Sequence, residues 1–88
     1  MSSKLIWIRE AWEDYLYWQT QDKKTLKKIN QLITAIQRDP FKGPGKPEPL
    51  KNDLQGYWSR RIDSQHRIVY SVETDAIVIL QCRYHYQK

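Results

Sequence analysis

Two hydrophobic periods meet in this chain, and their junction restricts its fold more than any other feature. Up to residue 38 the apolar side chains recur every three or four positions; beyond Gly56 they recur every second position. The first pattern lays a stripe along a helix, and the second lines one face of a strand. Between them lies "FKGPGKPEPLKNDLQG", with all three glycines and three of the four prolines. A chain of this kind places helices before an antiparallel meander, an α+β arrangement.

The first strand is expected at "LIWI", a short β-branched apolar run over residues 5–8. "REAWEDYLYWQTQ" then follows as a helix, with Trp12, Tyr15 and Leu16 on its inner face and Glu10, Glu13 and Asp14 in its first turns, where the helix dipole favours acids. Asp22 is placed to cap a second helix, whose Leu26, Ile29, Leu32, Ile33 and Ile36 form one core-facing stripe. Lys23, Lys24, Lys27 and Lys28 fall mostly on its outer face, and Pro40 ends it by disfavouring helical geometry at Asp39. Three strands follow in "YWSRRID", "HRIVYSV" and "AIVILQCRYHY", with turns at residues 63–65 and 73–75. Odd-length turns would put Trp58, Ile62, Ile68, Tyr70, Val72, Ala76, Val78, Leu80, Cys82 and Tyr84 on the core face. Arg61, Arg67, Gln81, Arg83 and His85 would then share the opposite face. The expected order is β-α-α-β-β-β, with two helices on one face of a twisted, mainly antiparallel sheet.

At 88 residues the chain is expected to be one domain, 1–88, with a single core. Four Trp and six Tyr supply the large buried area that a small core needs. The net charge of +5 points to an anionic partner such as nucleic acid, or equally to a well-solvated surface. A single cysteine, Cys82, excludes an internal disulfide, and its apolar surroundings read as a small buried hydrophobe. No Cys/His spacing reads as a metal site. The N-terminal apolar run is too short for a signal peptide or a membrane span, so a cytoplasmic protein is expected.

One set of side chains fits a defined chemistry. Glu48 is held between Pro47 and Pro49 and flanked by Lys46 and Lys51; the strand face adds Arg61, Arg67 and His85. RNA cleavage by internal attack of the 2′-hydroxyl needs a base for that proton and an acid for the departing 5′-oxygen. A carboxylate and a histidine can fill those roles, each transfer contributing roughly 10²–10⁴-fold. Guanidinium groups stabilise charge gathering on the phosphoryl oxygens, and Tyr86 could stack on an unpaired base. Each residue also has an ordinary reading: Glu48 in solvent, His85 a satisfied terminal histidine, Arg60, Arg61 and Arg67 a solvated strand face. His66 reads as structural, and the lysine run as a solvated helix face or a contact for RNA phosphates.

Several segments carry a resemblance: "LIW", "WEDYLYWQTQDKK", "KKIN", "PFKGPGKPEPLK", "GYWSRRI", "HRIVY" and "CRYHY". From Lys4 to Tyr86 the chain resembles the YoeB toxins of the RelE/ParE superfamily. That resemblance implies the RelE/YoeB-like microbial RNase fold and a toxin half of a type II toxin–antitoxin pair. It implies an mRNA interferase that cleaves message in the A site of the 70S ribosome, inhibiting translation, with neither metal nor cofactor. It also implies restraint by a YefM-type antitoxin that displaces the terminal segment, a homodimer to which the aromatic helix "WEDYLYW" would contribute, and operator DNA bound only as the toxin–antitoxin complex. Matched by motif, the general base falls on Glu48, the phosphate-binding arginine on Arg67, the acid on His85 and the substrate-orienting tyrosine on Tyr86. Lys51 and Arg61 match supporting RNA-binding positions. The alternative within the superfamily is a ParE-like toxin that inhibits DNA gyrase by binding alone and has no need of the acid–base set.

Overall fold

The computed structural model describes residues 4–85, so Tyr86 lies outside the described residues. The elements are β1 (Lys4–Trp7), α1 (Arg9–Gln21), α2 (Lys23–Arg38), β2 (Glu48–Pro49), a 3₁₀ turn (Asn52–Leu54), β3 (Tyr57–Arg61), β4 (Arg67–Glu73) and β5 (Ala76–Gln81). Among the described residues the strands form one sheet in the order β1-β5-β4-β3-β2. Its pairings are antiparallel except for β1, which runs parallel to β5. This is the α+β arrangement expected from the two periods, with one strand more: the two-residue β2, hidden in the sequence by its proline neighbours.

The helices meet at a single residue. Asp22 ends α1 and caps α2: its carboxylate accepts from the Lys24 and Thr25 amides at 3.1 and 3.2 Å and from the Thr25 hydroxyl at 2.9 Å. These bonds, led by the Thr25 hydroxyl, hold its carboxyl below the usual range. The α2 stripe packs as its spacing predicts, with Ile29, Leu32, Ile33 and Ile36 buried and Leu26 half-buried against them. Each buried aliphatic side chain contributes about 1.5–3 kcal/mol. On α1 the buried residues are Ala11 and Trp18, whereas Trp12 and Leu16 stay exposed instead of facing the core. Trp12 instead packs its ring on Trp7 and Tyr15, and exposed Leu16 follows one turn later on the same face of α1, whereas exposed Ile6 alternates with Trp7 and lies on the other face of the sheet.

The last strand departs from the expected register. The β4–β5 turn contains two residues, Thr74 and Asp75, because Glu73 already pairs with Ala76. An even turn reverses the facing of β5. Ile77 and Ile79 therefore enter the core beside Val72 and Tyr70, while Ala76 and Val78 turn to the other face. An irregularity between Val69 and Tyr70 then takes up one extra residue, since Tyr70 pairs with Ile79 but Val69 with Gln81. Leu80 is that residue, and beyond it Cys82 is again in the core. The strand stops at Gln81 and does not run through Tyr84. Tyr84 has φ 64° and is 56% exposed, so it does not pin the chain end by entering the core.

Candidate active site

Both helices cover one face of the sheet, and the other face has a low floor. Glu48 pairs with Ser59, Ser59 with Val69 and Val69 with Gln81, so these four form one row across β2, β3, β4 and β5 on the helix-free face. Arg61 pairs with Arg67 two residues further along the same face. Ser59, Val69 and Ser71 are buried, whereas Glu48 and Arg61 are exposed and Arg67 is half-buried. Small residues thus lie beneath a carboxylate at the β2 edge and two guanidinium groups beyond it. Strand spacing puts the Glu48 and Val69 backbones about 10 Å apart, leaving room between long side chains for one phosphate-sized group.

Glu48 is delivered by a loop anchored from below. Arg60 projects into the core and is fully buried, contrary to its expected place on a solvated face. Its Nε donates to the Tyr70 hydroxyl at 3.1 Å, Nη1 to the Pro44 carbonyl at 3.1 Å, and Nη2 to the Asp39 and Lys42 carbonyls at 2.7 and 3.0 Å. Tyr70 in turn donates to the Pro40 carbonyl at 2.6 Å, and its burial pushes the phenol's pKa upward. One cation therefore ties loop residues 39–44 to β3 through main-chain oxygens. Gly45 completes the approach. At φ 87° it presses so close that a Cβ there would lie 2.9 Å from Leu32 Cδ2, and its carbonyl accepts from the Arg61 amide at 2.7 Å. Lys46, at φ 54°, then turns the chain into β2.

The segment after β5 is held by α1 and by the start of β4. The Cys82 amide donates to Asp14 Oδ2 at 3.1 Å, and its carbonyl accepts from Trp18 Nε1 at 2.8 Å. Burial is the leading influence on Asp14 and raises its carboxyl pKa above the usual range. The Arg83 guanidinium lies 3.5 Å from the Tyr17 ring centre and 4.5 Å from that of Tyr84. Tyr84 is bonded on both sides: its carbonyl accepts from the Arg67 amide at 2.9 Å, and its amide donates to His66 Nδ1 at 2.7 Å. His85, exposed, follows directly. The chain that carries it is thus docked against the residue pair that carries Arg67.

Most of the sequence-derived set lies on or beside this face. Glu48, Arg61 and Arg67 share it by register, and His85 follows a residue bonded to Arg67. Lys51 sits just past β2, exposed, at the start of the 3₁₀ turn. Arg67 Nη1 also donates to the Asp63 and His66 carbonyls at 2.8 and 3.1 Å, which ties one terminal nitrogen of that guanidinium to the β3–β4 connection. A groove of about 420 Å³ beside Arg61 is lined by Lys28, Lys46, Asp63 and Ser64, joining part of the α2 lysine run to the site. Among the described residues no three of His, Cys, Asp and Glu converge as metal ligands. Burial pushes the Cys82 thiol well up, away from nucleophilic thiolate. His66, read as structural, holds the chain after β5 through the Tyr84 amide, whereas Arg60, read as part of a solvated face, is buried beneath the loop that carries Glu48.

Comparison with known proteins agrees with the fold. The family described as the YoeB-like toxin of bacterial type II toxin–antitoxin systems matches residues 7–86. The Toxin YoeB of Escherichia coli strain K12 is 60% identical over 83 residues, covering 94% of this chain and 99% of that protein. The YoeB dimer from Staphylococcus aureus superimposes with a TM-score of 0.90 at 47% identity, covering 98% of this chain and 100% of that one. YoeB in the heterotetrameric YoeB–YefM complex from the same organism gives 0.87, again at 47% identity and over 98% of this chain and 100% of that one. The two-helix, five-strand architecture is that of a small toxin from a toxin–antitoxin pair. Within that class, the chain belongs to the YoeB-like toxin family.

Proposed function

We propose that this chain is a ribosome-dependent endoribonuclease that cleaves mRNA in the A site by metal-independent acid–base chemistry. Glu48 removes the proton of the 2′-hydroxyl as it attacks the adjacent phosphate. His85 protonates the departing 5′-oxygen, and Arg67, with Arg61 and Lys51, binds the phosphoryl oxygens as charge builds on them. Tyr86 stacks on or orients the substrate base. The observation that supports this most is the shared face: the Glu48–Ser59–Val69–Gln81 row beside the Arg61–Arg67 pair, with the His85 chain bonded to Arg67. Neither proton transfer requires a metal, and the adjoining Lys28–Lys46 groove adds cationic surface for the same strand.

A YefM-type antitoxin and a second copy of the chain are the expected partners, as in the related Staphylococcus aureus assemblies. Operator DNA would be bound only by the toxin–antitoxin complex. The test is to map cleavage ends on translated and free mRNA with purified protein. Cuts within the A-site codon that leave a 2′,3′-cyclic phosphate or a 3′-phosphate are expected. Glu48→Gln and His85→Ala should each lower the rate by at least about 10²-fold while the protein stays folded. Full cleavage by both variants would remove the assignment.

A further inference from the structure

The bend that leads to His85 is made by a residue ill suited to it. Tyr84 lies in the left-handed region at φ 64°, where the Cβ of a side-chain-bearing residue crowds the backbone. Such a conformation persists only where its surroundings over-determine it. Gln81 Nε2 donates to the Arg83 and Tyr84 carbonyls at 2.9 and 3.4 Å, and the Arg67 amide supplies one further sheet-like bond. The Tyr84 amide is bound by a side chain, His66 Nδ1, at 2.7 Å. The His66 ring is itself fixed edge-on to Trp18, with centroids 4.9 Å apart and planes at 83°. That same indole bonds the Cys82 carbonyl two residues earlier.

We propose that His66 is a positioning residue of the site: its neutral ring, seated against Trp18, supplies the acceptor that fixes the Tyr84 amide and thereby aims the chain bearing His85. The proposal rests on the reading of His85 as the acid. A backbone amide can only donate, so Nδ1 must carry the lone pair and Nε2 the proton. A second proton on the ring would leave it two donors and no acceptor. Docking of Tyr84 and protonation of His66 therefore exclude one another, and acid loosens the terminal chain. The charged and titratable groups on the surrounding elements are few. Asp63 accepts the His66 amide at 2.7 Å, Arg67 donates to the His66 carbonyl, and Arg83, Tyr84 and His85 lie on the docked segment. From α1 come Asp14 and Tyr17, and from α2 Lys24 and Lys28, which share a cavity with Asp63.

The experiment follows the Tyr84 amide by NMR in wild type, His66→Asn and His66→Leu across the histidine range, about pH 5 to 8. Protection is expressed relative to the intrinsic exchange rate at each pH. Asparagine places Oδ1 near the position of Nδ1 and cannot be protonated. Wild type should lose Tyr84 protection toward the acid end, His66→Asn should keep it throughout, and His66→Leu should lack it throughout. In cleavage assays at the alkaline end, His66→Leu should lower kcat by about 10- to 100-fold with KM little changed, and asparagine should restore most of that loss. An identical acid loss in wild type and His66→Asn overturns the proposal, as does full protection in His66→Leu. If the leucine variant does not fold, the wild type and asparagine comparison decides alone. If wild type cleaves no RNA, the functional reading fails while the amide comparison still decides the role of His66 in docking.

Discussion

Replacing Arg60 by methionine keeps the apolar stem of the side chain and removes the guanidinium. The change deletes four hydrogen bonds from a fully buried cation to Tyr70, Pro44, Asp39 and Lys42. At about 1.5–3 kcal/mol for each charge-assisted bond, the gross loss is about 6–12 kcal/mol. Two effects offset it. The desolvation of a buried cation, several kcal/mol, is no longer incurred. The orphaned carbonyls belong to Asp39, Lys42 and Pro44, which are exposed residues, so water can replace the lost donors in part. The expected net cost is about 3–5 kcal/mol, among the larger values for a single substitution, as befits loss of a buried hydrogen-bond network. For a domain of this size that corresponds to a fall in Tm of roughly 12–30 °C. Urea denaturation and a thermal melt measure the loss, and hydrogen exchange over residues 39–47 reports whether the loop has been released. Arg60→Lys should recover little, because an ammonium cannot span three carbonyls and a hydroxyl lying in different directions. A methionine variant within about 1 kcal/mol of wild type, with unchanged exchange in the loop, would refute the view that this cation holds the Glu48 loop to the sheet.

Two further perturbations probe the same framework. Gly45→Ala should destabilise by about 2–4 kcal/mol in urea, because φ 87° strains an alanine and its Cβ would meet Leu32 and Arg60 at 2.9 and 3.1 Å; alanine at the exposed Gly56, whose Cβ would meet nothing within 4 Å, is the control for backbone strain alone. Asp22→Ala should lower the melting midpoint above the carboxylate range by removing the α2 cap. Since the folded-state carboxyl titrates below the unfolded one, wild type should lose this advantage as pH falls through the Asp22 titration, and the two melting curves should converge there.

The helical half of the fold was legible because each of its signals is local. Asp22 lies directly before the stripe it caps, and Pro40 directly after the helix it ends, so neither depends on distant residues. The β5 facing was not legible, because it rests on the parity of a single turn: an extra loop residue at Glu73 would have reversed Ile77, Val78 and their neighbours together. Strand β2 was hidden for a different reason. Proline depletes ladder donors, and only the bonds that tie the loop to β3 reveal "EP" as an edge strand. The two adjacent arginines show the same limit at the site. Arg61 on the open face follows the general expectation for charge, whereas Arg60 is buried because its acceptors are main-chain oxygens of a loop, which no side-chain pattern announces. Glu48, Arg67 and His85 could be singled out since the chemistry dictates residue type, and His66 could not, because an imidazole that accepts a backbone amide looks in sequence like any other.

The parallel pairing of β1 with β5 bears on how such a chain comes into being. Lys4–Trp7 finds its ladder partner only in Ala76–Gln81, across most of the length of the polypeptide. Closing so long a loop is a late and entropically costly event, and it cannot happen while the later strand is still inside the exit tunnel of the machine synthesising it. The docking of Tyr84 comes later still, because it requires β4 and β5 already side by side. Until β5 and the segment after it have emerged, the face that carries Arg67 lacks the docked chain bearing His85, and a partner that engages the polypeptide in that interval meets an incomplete site.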